Sequence, residues 1–179
     1  MKVKKFAQKF YNEKKLIILK RNEDKYYLSD THCIIKIDNS DMEKFVEKWN
    51  GYSRTQDIPD LSVEEQIVSL DHDEWEKGDF NFKYFFLYDD KGDKIKLTDI
   101  FYKTQVRLIL GNDYICGVDT DYVDYFEDVE LFQVDKNEPI NVFKEGEMVG
   151  VIMPYIPDNE RYDKMFEDLK EIGGILEEE

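Results

Sequence analysis

The heptapeptide LDHDEWE places His72 among Asp71, Asp73, Glu74 and Glu76, all oxygen or nitrogen donors of the kind that hold metal ions. A metal centre needs donors that converge on one point, and side chains on consecutive residues point apart. The stretch therefore reads as an acidic helix end or loop carrying a solvated histidine. His32 beside Cys33 suggests a thiol activated by imidazole. On a strand, however, neighbouring side chains leave from opposite faces and do not share a proton. Cys33 and Cys116 have no C-x-x-C spacing, and each sits in an apolar run, so both read as small buried hydrophobes. The nine glycines form neither a G-x-G-x-x-G nor a phosphate-loop pattern. With 41 Asp and Glu in 179 residues, some carboxylate pair always falls at a suggestive spacing, so spacing alone assigns no acid or base. The sequence thus yields no catalytic residue, no metal ligand and no cofactor, and a non-enzymatic role is expected.

Charge gives a sharper signal. Residues 1–21 hold eight Lys and Arg against one Glu, a balance of +7, which leaves −23 for the rest of a chain whose total is −16. A surface so acidic repels phosphates, so only the N-terminal segment offers a footprint for DNA. Val3, Phe6, Ala7, Phe10 and Tyr11 recur at helical spacing, while Lys2, Lys4, Lys5, Lys9 and Lys15 take the other half of the turn. The candidate DNA-facing residues are Lys2, Lys4, Lys5 and Lys9. The charged start argues against a secretory signal and no apolar run is long enough to span a bilayer, so no membrane partner and a cytoplasmic location are expected.

These side chains need a scaffold. A hydrophobic content of 41% and an aromatic content of 15% supply a core for one domain. After the first helix, KLIILKRNEDKYYLSDTHCIIKID gives three short strands turned at NED and SDT. Asp41–Trp49 has helical spacing and stops at Gly51, placed as a C′ glycine. SVEEQIVSL opens with Ser62 and Glu65 at capping-box spacing, which predicts a second helix. FNFKYFFLY and IKLTDIFYK read as strands about the turn DDKGDK, and QVRLILGNDYICGVD as a hairpin turned at Gly111 and Asn112. Thr120 caps a short helix with Tyr122, Val123, Phe126 and Val129 inward and Asp121, Asp124 and Asp128 outward. Three strands follow over ELFQVDKN, PINVFKEG and EMVGVIMPY, then a helix over Arg161–Ile172 and an acidic end.

A helix followed by three strands therefore occurs at 2–38 and again at 120–155. This order, with the helix DYVDYFEDV, the Pro-led strand PINVF and a closing strand ending at Met153–Pro154, resembles the last half-domain of the bacterial sliding clamps of DNA polymerase III. The first block is similar to the clamp passage in which two strands lead into an Asp-bearing turn, here Ser29–His32. The resemblance covers about 75 residues in two blocks. It implies an α+β, DNA-clamp-like fold with duplicated β-α-β-β-β half-domains, antiparallel sheets and two adjacent helices. It implies one domain over 1–155 with a helical insertion at 41–79, and a C-terminal helical extension over 156–179. In clamps the Met-Pro terminus borders the pocket for partner peptides, which makes Met153 and Pro154 the expected groove edge.

One clamp-like domain is a sixth of a ring, and Asp121, Asp124 and Asp128 oppose the lysines, so ring formation is not implied. The expected function is a sliding-clamp-like accessory or interaction protein in DNA metabolism or on a mobile element, with a protein partner and weak, non-specific DNA binding. The alternative is an acidic binding protein, a DNA mimic, inhibitor or immunity-type factor, that neutralises a basic partner.

Overall fold

The computed structural model describes residues 1–52, 57–82, 91–112, 114–156 and 168. The chain opens with α1 (Val3–Asn12), whose apolar stripe Val3, Phe6, Ala7 and Phe10 is buried as its spacing predicts. Three antiparallel strands follow, β1 (Lys15–Lys20), β2 (Lys25–Ser29) and β3 (Cys33–Asp38), paired in the order of the sequence. Asp38 then caps α2 (Asn39–Asn50) by accepting the Asp41 N–H at 2.9 Å. Met42, Phe45 and Trp49 bury the inner face of α2. Gly51 ends the helix at φ −66°, so its freedom to turn left-handed is not used there.

The expected second helix does not form. Gln66–Leu70 is instead β4, antiparallel to β1 over Lys15↔Leu70 to Leu19↔Gln66. Half of the capping box survives as a turn, with the Ser62 N–H donating to Glu65 Oε2 at 2.8 Å and the Glu65 N–H to the Ser62 carbonyl at 3.0 Å. Beyond it, Ile67 and Ser69 face inward and their neighbours outward, so an open edge on β1 overrode the local start signal. The insertion is thus one helix followed by β4 and a short β5 (Glu76–Lys77). Most of the strand expected at 80–88, and the helix expected at 161–172, lie outside the described residues.

The second half begins with β6 (Asp93–Lys94), β7 (Lys96–Lys103), β8 (Val106–Leu110) and β9 (Ile115–Asp119), the last two forming the expected hairpin. Next come α3 (Thr120–Phe126), capped by Asp119 rather than Thr120, and β10 (Glu130–Gln133), β11 (Ile140–Lys144) and β12 (Glu147–Ile152). The fold is α+β with two antiparallel sheets. β7, β8 and β9 make the smaller one, and the larger runs β5-β4-β1-β2-β3-β12-β11-β10-β6. Its centre is the pair β3·β12, registered Cys33↔Ile152 and Ile35↔Gly150, and strand order reads alike outward from there: third, second, first of each trio.

The two helices that precede these trios lie side by side. Phe6 of α1 meets Tyr125 and Phe126 of α3 edge-on, with ring centroids 5.4 and 5.0 Å away, while Phe10 reaches Phe45 of α2 at 6.1 Å. Fully burying rings such as Phe6 and Phe10 contributes about 1.5–3 kcal/mol each. Gly150 makes the close approach of α3 to the central strands attainable. A Cβ there would collide with the Phe126 ring and meet the Ile34 carbonyl oxygen at 2.7 Å.

Candidate binding groove

Three of the four candidate DNA-facing lysines are engaged with carboxylates. Lys2 Nζ lies 3.6 Å from Glu127 and Lys4 Nζ 2.6 Å from Glu47. Lys9 is buried, with Nζ at 2.9 Å from Asp119, 3.5 Å from Asp121 and 3.5 Å from Glu13. Burial works to lower the Lys9 pKa, but the hydrogen bond and charge of Asp119, with Asp121 and Glu13 behind it, prevail and raise it. Lys5 is exposed on the helix surface and makes no ion pair among the described residues. Asp121, read as part of an outer stripe opposing these lysines, is the ion-pair partner of one of them. Asp124 and Asp128 are exposed. Most of the positive charge of the α1–α3 face is therefore already paired within the molecule, and carboxylates are in excess around Lys9.

Below this cluster sits a buried polar link between the two halves of the chain. Asp30, 1% exposed, lies in the turn between β2 and β3, and its Oδ1 accepts the His32 and Cys33 N–H groups, both at 2.9 Å. Its Oδ2 accepts the hydroxyl of Tyr122 from α3. Burial raises the Asp30 pKa, and these three donors, which favour the carboxylate, only partly offset it. Burial and the neighbouring Asp30 charge also push Tyr122 far up, so the phenol stays a donor. Thr31 completes the turn in the left-handed region at φ 79°, its N–H held by Ser29 Oγ at 2.9 Å.

Met153 and Pro154 follow the end of β12, as expected of a residue with no N–H to give the ladder. However, β12 is paired on both sides at the centre of the larger sheet and is not the edge or near-edge strand that a Met-Pro end suggests. The Met153 N–H donates to the His32 carbonyl at 2.8 Å, after which the chain crosses to the smaller sheet, where Tyr155 and Gly117 exchange two backbone hydrogen bonds of 2.8 and 2.9 Å. The crossing leaves a groove of about 210 Å³ bounded by Glu13, His32, Val106, Asp119, Tyr122, Met153, Pro154 and Tyr155. Met153, Tyr155 and Ile156 remain 37–47% exposed beside it. Val106 and Tyr155 approach one another because Gly117 has no side chain to separate them.

Elsewhere the sequence candidates resolve into structure. His72 lies in the turn after β4 and is half-buried rather than free in solvent. Its ring stacks on Tyr11 at 4.0 Å, near Trp49, and burial followed by the nearby Lys14 charge lowers its pKa. No cluster of three metal-ligating side chains occurs among the described residues. Cys33 is buried on β3 with its pKa well above the usual thiol value. Cys116, its Sγ 3.3 Å from Gln133 Oε1, is pushed up to about 12 by burial. Neither thiol is activated.

The sequence singles out Met153 and Pro154, but nothing in it joins Glu13, His32, Val106, Asp119, Tyr122 or Tyr155 to them. The Asp-bearing turn was visible, but nothing in it pointed to a tyrosine 92 residues away. Comparison with protein families, with curated proteins and with solved structures finds no match. No helix among the described residues is long and apolar enough to cross a membrane.

Proposed function

We propose that this chain is a non-enzymatic interaction protein on a sliding-clamp-like plan, acting in DNA metabolism by holding a protein partner at the Met153–Pro154 groove and not by gripping DNA. The observation that carries the reading is the state of the helix face. A clamp holds a duplex with basic residues on paired helices, whereas here Lys2, Lys4 and Lys9 already meet Glu127, Glu47 and the Asp119–Asp121–Glu13 cluster. Turning these lysines to phosphates would break existing pairs before any counterion is released. The scaffold itself supports the clamp-like plan, through two helix-plus-three-strand units that meet at β3·β12 with their helices adjacent.

Titration of a labelled duplex at about 50 and about 200 mM salt tests the reading. Four free lysines would give a log–log salt slope of about −3.6 and non-specific dissociation constants of about 1–100 µM. With Lys2, Lys4 and Lys9 paired, weaker binding is expected and a slope near that of one free lysine of the four, Lys5, about −0.9. A steep slope that Lys2→Ala and Lys4→Ala flatten would return DNA to the helix face and overturn the reading. The net charge of −16 and the exposed Asp124 and Asp128 favour a second reading, an acidic protein that covers the nucleic-acid site of a basic partner. Competition between this protein and duplex DNA for one basic partner would favour that second reading.

A further inference from the structure

The groove beside Met153 is apolar along most of its wall but carries a carboxylate edge. Glu13 and Asp119 line it and Asp121 adjoins them, three negative charges gathered around one ammonium, that of Lys9. Lys9 is nearly enclosed, with a side chain 10% exposed, while its three partners are 27–38% exposed, so the unneutralised charge lies on the open side. Lys103 does not line the groove, and its ammonium is held on the Tyr155 hydroxyl at 2.5 Å. The remaining wall consists of Val106, Met153, Pro154, the rings of Tyr122 and Tyr155, and one further polar residue, His32.

Such a site suits a long side chain whose stem is apolar and whose head is cationic. The methylenes lie along Val106, Met153 and the tyrosine rings while the head group meets Glu13 and Asp119. We propose that the groove selects a lysine or arginine side chain, next to an apolar residue, on the protein partner. The proposal rests on the groove being the partner site, as argued above. A neutral or acidic side chain of the same length gains only the apolar wall and leaves the carboxylate edge facing solvent or a like charge.

The test is an amide chemical-shift titration of the whole chain with two blocked peptides, Ala-Leu-Lys-Tyr-Ala and its counterpart with norleucine in place of lysine. The expected result is that the lysine peptide moves the amides of His32, Val106, Met153 and Tyr155 at lower concentration than the norleucine peptide, an advantage that added salt removes. Glu13→Gln leaves Lys9 its two aspartates and should weaken the lysine peptide about threefold, the effect of one charge about 6 Å away in water-like surroundings, without changing the norleucine peptide. Equal binding of both peptides at these amides keeps the groove as the partner site and overturns the cationic selection. Absence of shifts with either peptide overturns both.

Discussion

Replacing Tyr122 with Phe probes the buried link between the halves, because it removes one hydroxyl and leaves the ring in place. In the wild type, Asp30 is 1% exposed and all its donors are accounted for: two backbone N–H groups on Oδ1 and the phenol on Oδ2. Without the phenol, a buried carboxylate oxygen loses its partner, which costs about 1–3 kcal/mol and more when the group is charged. The size of the effect must depend on pH. The folded-state pKa of Asp30 is raised, so the protonated form favours folding. Its contribution is greatest below the unfolded value of about 3.9 and is lost as pH rises through the folded value. Losing a donor that favours the carboxylate raises the folded value further, each tenfold change in proton affinity adding about 1.4 kcal/mol of destabilisation at neutral pH. Urea unfolding followed by the fluorescence of Trp49 and Trp75 should therefore show Tyr122→Phe losing about 2–4 kcal/mol at about pH 7.5 and about 1 kcal/mol at about pH 4. In an Asp30→Asn background the same substitution should cost about 1 kcal/mol at both pH values, since no charge remains to be stranded. A loss that does not depend on pH, or one that persists in full in the Asp30→Asn background, would refute the assignment of Asp30 as a buried carboxylate satisfied by Tyr122.

Gly150→Ala should destabilise by about 1–3 kcal/mol, because its Cβ enters the space of the Phe126 ring. Phe126→Leu in the same chain should recover part of that loss, and a neutral Gly150→Ala in urea unfolding would contradict the packing of α3 on β12. Lys9→Met should cost about 1–3 kcal/mol by stranding Glu13, Asp119 and Asp121, less than for a fully enclosed pair because those carboxylates keep some contact with water. The raised Lys9 pKa means that its contribution is complete below about pH 10.5 and is lost as pH rises through the folded value. The stability of the wild type should consequently fall more steeply than that of Lys9→Met as pH rises above about 10.5, and parallel curves there would argue against the cluster.

Local chemistry made much of the element order legible. The alternation and turns of residues 15–38 do not depend on distant partners, nor does the spacing of Met42, Phe45 and Trp49 on α2, nor the Gly-Asn reversal between β8 and β9. The strand-ending role of Pro154 is equally local, since a residue without an N–H ends a ladder wherever it stands. Where sequence reasoning erred, a partner far along the chain prevailed. Ser62 and Glu65 do form their capping bond, yet Gln66–Leu70 becomes a strand because β1, much earlier in the chain, presents an unpaired edge. A start signal contributes about 1 kcal/mol, and a full strand pairing with burial of Ile67 exceeds it.

The same distinction governs the groove and the helix face. Sequence by itself determined that the lysines of α1 lie opposite its apolar stripe and that the aspartates of α3 flank its buried residues, because helical periodicity sets each face. Only the tertiary structure decided that Lys9 is nearly enclosed among Glu13, Asp119 and Asp121, because that depends on how closely α1 and α3 pack, and it made a carboxylate expected to oppose the lysines the ion-pair partner of one of them. Asp30 and Tyr122 are 92 residues apart, and Glu13, His32, Val106 and Tyr155 belong to separate elements. Their meeting follows from the β3·β12 pairing and the crossing at Tyr155, contacts whose register is set by packing across the whole sheet and leaves no mark on any short stretch of sequence.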